Sequence, residues 1–239
     1  MINRLSVQDA SVTFGKSCDS GGGRVTFQKF NFLLPSPMLD RHALLYAQRL
    51  LAKSAQFCHR HHINANTISW VGFAIGLAVP LLIWKKLFMA AALGIIANRI
   101  CDGLDGMVAR LQGTSDAGAF LDIVLDFLFY GAVVLGFALA DPQTNGAAAA
   151  LLLFSFLGTG SSFLSFAILA ERRQLINRSY PSKGIYYLGG LTEGTETIVV
   201  FLLFCLFPGW FALLATGFAV LCLITTATRI TFAVSTLRG

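Results

Sequence analysis

Charge is scarce in this chain. Of its 239 residues only 13% are Asp, Glu, Lys or Arg, about half the share usual in soluble domains, while 55% are hydrophobic and mean hydropathy is +0.68. A water-soluble core of this size cannot hide so much apolar surface, and several runs approach the roughly 18 to 20 apolar residues that a bilayer-spanning helix needs. The bilayer is therefore the expected solvent for most of the chain. Cysteine excludes little beyond a disulfide framework, because the five residues Cys18, Cys58, Cys101, Cys205 and Cys222 are odd in number, scattered and partly inside apolar runs. A secretory signal is missing from residues 1–37, which hold scattered charges, a Gly-Gly-Gly tract at 21–23 and no apolar h-region. That stretch reads as a disordered leader, with Met38 as an alternative start and residues 38–239 as the membrane domain. The net charge of +6 does not point to nucleic acid, since Lys and Arg sit mainly between apolar runs, where membrane topology places them.

From Met38 to His62 the pattern is helical and amphipathic, with Arg49, Lys53, Gln56 and Arg60 on one stripe and Leu44, Ala47, Leu51, Ala55 and Cys58 on another. Such a helix lies in the membrane interface. Six spans are expected after it: Thr67 to Trp84, Leu87 to Arg110, Ala117 to Ala140, Ala147 to Ala170, Leu191 to Phe207 and Trp210 to Ile230. Arg172, Arg173, Arg178 and Lys183 in the fourth connection, with Arg41, Arg49, Lys53 and Arg60 before the first span, place both regions in the cytoplasm. The connection Asp141 to Gly146, which carries no positive charge, is then outside, and Lys85 and Lys86 snorkel from the first connection to headgroups.

Acidic residues number only twelve, yet Asp102, Asp105, Asp122 and Asp126 lie in or at the edge of two consecutive spans. An Asp at the centre of a spanning helix costs about 2.5 to 3.5 kcal/mol on insertion scales, so such residues need cations or water. Spacings of three and four put each pair on one helix face, and a short loop from Leu111 to Asp116 brings both pairs to one depth near the cytoplasmic surface. Four convergent carboxylates are hard oxygen ligands suited to two Mg²⁺ or Mn²⁺ ions. Gly103, Gly106, Ala109 and Gly118 would let a ligand approach the backbone, and Arg110, with Arg99, offers guanidinium forks for phosphate.

The segment Asp102-x2-Asp105-Gly106-x2-Ala109-Arg110-x7-Gly118-x3-Asp122-x3-Asp126 resembles the signature of the CDP-alcohol phosphotransferases. The likeness runs from Met38 to the C-terminus. It is nearest to a poorly characterised bacterial inner-membrane subgroup through Thr159 to Ser162 and Tyr186 to Thr197. One departure is that seven residues separate Arg110 from Gly118 where most members have eight. The resemblance implies an all-α fold of an interfacial helix and six spans, frequently dimeric. It also implies a cytidine-diphosphate donor clamped by the motif, two divalent ions on Asp102, Asp105, Asp122 and Asp126, and Asp126 as the base that deprotonates the acceptor hydroxyl. Asn66 and Ser69 resemble a further family element beside the nucleotide, with Ser in place of Thr.

Glu193 and Glu196 open the fifth span and, with Glu171, are the only glutamates. They either favour a helix N-terminus or meet the acceptor, and the scarcity of glutamate tilts the reading to the acceptor. Tyr186 and Tyr187 read as interfacial anchors, and Arg229 either reaches an anionic acceptor or snorkels, the second being the favoured reading. The His59, His61, His62 and Cys58 group matches no zinc spacing. Thr159 to Ser162 either lines a polar cavity or packs a helix pair, the commoner use of small residues.

The expected activity is transfer of a phosphatidyl group from CDP-diacylglycerol to a small alcohol, with release of CMP, in the bacterial inner membrane with the site facing the cytoplasm. A soluble CDP-alcohol donor with a lipid acceptor is the alternative of the same fold. An ion-coupled transporter is the alternative of another class, but it would spread acidic residues through the membrane depth. Glycerol 3-phosphate, inositol phosphate, serine and a neutral polyol all remain open as acceptors.

Overall fold

Helix caps and small residues account for most of the architecture. The structure, a computed structural model, describes residues 52–113, 115–173, 192 and 194–238. The leader 1–37, the expected interfacial helix as far as residue 51, Arg178, Lys183, Tyr186, Tyr187 and Glu193 lie outside the described residues. Residues 52–60 are helical and precede α1 (Ala65–Trp84), α2 (Phe88–Gln112), α3 (Asp116–Ala140), α4 (Pro142–Arg172), α5 (Gly194–Leu206) and α6 (Phe211–Arg238). Among the described residues there is no strand.

The helical residues 52–60 bury Ala55 and Cys58 against Ala65, Ile68 and Val108 and expose Lys53, Gln56 and Arg60, as an amphipathic segment should. It stops before His62, whose φ of 54° turns the chain while the amides of Ile63 and His62 donate to the carbonyls of Cys58 and His59. Lys86, at φ 59°, closes α1 in the same way through Leu87 to Leu82 and Lys86 to Ile83. His59, His61 and His62 are exposed.

The expected span boundaries differ from the observed helices by a few residues, with two larger corrections. The connection Asp141 to Gly146 is not a loop beyond its first residue, because Asp141 caps α4 by accepting from the Thr144 amide at 3.2 Å and Pro142 occupies the first turn. The last helix runs on past Ile230 to Arg238. Arg229 therefore sits well inside α6, where it is buried, donates to the Thr159 carbonyl of α4 at 3.3 Å and lies 5.8 Å from the Phe163 ring. It does not snorkel.

Among the described residues, four stretches are long and apolar enough to cross a bilayer: α1, α3, α4 and Pro208–Arg238. The equally long α2 carries Arg99, Asp102, Asp105 and Arg110, and α5 is a shorter apolar helix of 13 residues. Burial matches a lipid solvent. Trp70, Leu81, Leu93, Phe154 and Leu213 point outward, whereas Asn98, Asp105, Ser155, Thr225 and Arg229 are buried. The apolar core joins all six helices around Phe137, which stacks on Phe88 at 5.9 Å and Phe211 at 4.6 Å and meets Phe204 edge-on at 5.6 Å.

Glycines set how closely helices approach. A Cβ at Gly136 of α3 would fall 2.8 Å from the Cα of Pro80 in α1, and one at Gly72 of α1 would fall 2.7 Å from the Cβ of Cys101 in α2. Neither neighbour atom is the end of a flexible chain, so backbones must separate to admit a methyl group. Gly72→Ala is accordingly expected to lower stability by about 1 to 3 kcal/mol, read as a fall in the melting midpoint of the detergent-solubilised protein. An unchanged midpoint would show that α1 and α2 tolerate a wider spacing. The Thr159 to Ser162 tract acts likewise in packing: Gly160 abuts Phe127 of α3, and the hydroxyls of Thr159, Ser161 and Ser162 bond back to their own helix.

Candidate active site between α1, α2 and α3

The turn from α2 to α3 is pinned before any carboxylate is placed. Gln112, at the end of α2, donates to the Ile63 carbonyl at 2.7 Å and accepts from the Ala65 amide at 3.3 Å, tying that end to the start of α1. Gly113 takes a φ of 103°, which only glycine adopts freely, and Ser115 caps α3 by accepting from the Gly118 amide at 3.1 Å. The short turn then runs α2 and α3 antiparallel, with the Asp102/Asp105 and Asp122/Asp126 pairs facing each other.

One cleft collects these side chains. It is lined from α1 by Ser69, Gly72 and Phe73, from α2 by Asn98, Arg99, Asp102 and Asp105, and from α3 by Asp122, Leu125 and Asp126. Asp102, Asp105 and Asp122 each offer an oxygen within 4.8 Å of the others. Oxygens bound about 2.0 to 2.6 Å from one shared cation would be spaced no wider than about 5 Å, so the three fit a divalent ion. Among the described residues they are the one group of His, Cys, Asp or Glu with that closeness. Ser69 Oγ donates to Asp105 Oδ2 at 2.5 Å and orients it.

The fourth carboxylate is held differently. Arg99 donates to Asp126 Oδ1 at 2.7 Å and approaches Asp102 Oδ2 at 3.4 Å. Both Nε and Nη2 of Arg99 also donate to Asn98 Oδ1, at 3.0 and 2.7 Å, while Asn98 Nδ2 donates to the Gly72 carbonyl at 2.8 Å. Phe129 and Tyr130 lie beneath the guanidinium at 5.1 and 5.7 Å. Four carboxylates facing one guanidinium leave an excess of negative charge that a half-buried cleft relieves by taking up cations or protons.

Of the other expected site residues, Asn66 meets Gly118 across α1 and α3, where a Cβ on Gly118 would fall 3.4 Å from Asn66 Oδ1. Gly106 directly follows Asp105 on α2, and the exposed Arg110, with Ala109 beside it, lies about a turn further on, its Nη1 near Gly106. None of these lines the cleft. Glu196 is in the first turn of α5, and α5 starts beside Tyr130, since a Cβ on Gly194 would lie 3.5 Å from the Tyr130 hydroxyl. Sequence reasoning passed over Asn98, Gln112 and Tyr130. A buried Asn beside an Arg inside a spanning helix was the available signal for the first; the others carried none.

Residues 62–234 match the family described as CDP-alcohol phosphatidyltransferase. The chain belongs to the CDP-alcohol phosphatidyltransferase family. Relatives in this family include the inner membrane protein YnjF of Escherichia coli, 51% identical over 196 residues that make up 81% of this chain and 94% of that protein. An uncharacterized protein of Aquifex aeolicus is 30% identical over 171 residues, 69% of this chain and 80% of its own length. A phosphatidylinositol phosphate synthase of Streptomyces avermitilis is 35% identical over 104 residues, 43% of each chain. The crystal structure of the Mycobacterium tuberculosis phosphatidylinositol phosphate synthase with CDP-DAG bound superposes with a TM-score of 0.63 at 21% identity, covering 77% of this chain and 94% of that one. The all-α membrane fold of a CDP-alcohol phosphatidyltransferase thus frames the cleft.

Proposed function

We propose that the chain moves a phosphatidyl group from CDP-diacylglycerol to the hydroxyl of a small alcohol and releases CMP. The observation that carries this is the convergence of Asp102, Asp105 and Asp122 within 4.8 Å, with Asp126 one helical turn further along α3, in a chain of this family. Mg²⁺ or Mn²⁺ on these carboxylates would supply charge for the donor pyrophosphate and for the leaving CMP phosphate. Asp126 takes the proton as the acceptor oxygen attacks the phosphorus that carries the diacylglycerol, and the bond from that phosphorus to the CMP oxygen breaks. Arg99 holds Asp126 Oδ1, so Oδ2 is the oxygen assigned to the proton. Gly106, Ala109, Arg110, Gly118, Asn66 and Ser69 would border the nucleotide, and Glu196, with Glu193, the acceptor. Support for the acceptor side comes from the start of α5 lying beside Tyr130, the residue stacked under Arg99.

We assign the protein to the inner membrane with the cleft facing the cytoplasm. Successive helices reverse direction, so Lys53, Arg60, Arg110, Arg172 and Arg173 fall at the same membrane side as the α2–α3 turn, which is the side the positive-inside rule makes cytoplasmic. The test is to supply purified protein with CDP-diacylglycerol, Mg²⁺ or Mn²⁺ and a panel of glycerol 3-phosphate, inositol phosphate, serine and neutral polyols. CMP release with one of them is expected. No release with any acceptor, together with an ion flux that needs no nucleotide, would overturn the proposal in favour of a transporter.

A further inference from the structure

We infer that Arg99 is a positioning residue whose guanidinium stands in for a second divalent cation, so that the donor-free protein binds one ion on Asp102, Asp105 and Asp122 while Asp126 is kept for the acceptor. The inference rests on the metal-dependent reading above. Its grounds lie in how Arg99 is built into α2. Its guanidinium is fixed on several sides, by Asn98 Oδ1 on Nε and Nη2, by Asp126 on Nη2, by Asp102 on Nη1, and by the faces of Phe129 and Tyr130. Asn98 is itself anchored to the Gly72 carbonyl at 2.8 Å and is 5% exposed. Gly76 makes that anchor possible, because a Cβ there would fall 3.0 Å from Asn98 Nδ2 and 2.9 Å from Phe129.

The consequence is a division among four carboxylates. Three present oxygens to one another, whereas Asp126 Oδ1 is taken at 2.7 Å by a fixed positive charge. A second divalent ion shared by Asp126 and Asp102 would compete with the same guanidinium that already touches both. Because Arg keeps its proton under all working conditions, this cation is permanent, and unlike a free metal ion it cannot be stripped by a chelator. It also sets the orientation of Asp126, leaving Oδ2 to meet a hydroxyl.

Mn²⁺ titration of the full-length, donor-free protein in detergent, with free Mn²⁺ read by electron paramagnetic resonance, tests this. About one ion per chain is expected in the wild type, about two in Arg99→Gln, and about one again in Arg99→Lys, which restores a fixed positive charge. Asp126→Asn, which keeps Arg99, is expected to leave the wild-type count and affinity unchanged. Two ions in the wild type, an unchanged count of one in a monodisperse Arg99→Gln, or loss of Mn²⁺ affinity in Asp126→Asn would each overturn the inference while leaving the metal-dependent reading intact. No ion in the wild type would overturn both. Should Arg99→Gln aggregate, the wild-type count and Asp126→Asn decide the matter.

Discussion

Asp126→Asn is expected to lower kcat by about 10²- to 10⁴-fold, the usual loss when a general base is removed, while donor binding and metal occupancy survive. An amide keeps the shape of the side chain and can still accept from Arg99, so the contact between α2 and α3 at that point should hold. It cannot take a proton from the acceptor at neutral pH. The measurement is turnover beside CDP-diacylglycerol binding at matched Mn²⁺. The reading makes Asp126 a base and places its carboxylate on Arg99 rather than on the three-oxygen group, so the loss should fall on kcat. Near wild-type turnover in Asp126→Asn would assign the proton to water or to another carboxylate such as Glu196.

Asp102→Asn, Asp105→Asn and Asp122→Asn are expected to fail in another way, losing metal, donor binding and turnover together. Each removes one of the three oxygens that lie within 4.8 Å of the others, and an amide oxygen lacks the charge that holds a hard cation. The loss of affinity should be at least the roughly 10²-fold that even outer partners of a metal ligand can cost. EDTA should mimic the variants, and CMP release that persists in EDTA would refute the metal-dependent reading. Because these three carboxylates act on one shared site, double variants should be little worse than the poorer single one. Asp105→Asn adds a structural readout, since it turns the partner of Ser69 Oγ from carboxylate to amide. A Ser69→Ala variant should therefore weaken metal binding without abolishing it.

Several features were legible residue by residue because their causes are local. The four long apolar helices follow from hydropathy summed along the chain, and the start of α3 from Ser115 and Asp116 after Gly113. The start of α4 was legible too, in Asp141-Pro142, although the lack of positive charge made the segment read as a loop; a cap and a helix-compatible proline outweigh charge in deciding where backbone amides find partners. Arg229 was misread for a related reason. Snorkelling assumes a helix end, and α6 continues to Arg238, which leaves the guanidinium among Thr159 and Phe163.

The membrane class, the helices and the pairing of carboxylates at spacings of three and four were decided by the sequence alone, because hydropathy and helical period belong to each segment before it meets another. Which carboxylate meets Arg99, which three face one another, and how Gln112 ties the turn to Ile63 and Ala65 were decided only in the tertiary structure. Those contacts depend on how near α2 and α3 come to α1, and that distance is set where Gly72, Gly76 and Gly136 let Cys101, Phe129 and Pro80 approach without a side chain between them. A side chain on a helix fixes its own face, but its partner across the gap is fixed by the residues that are small enough to close it.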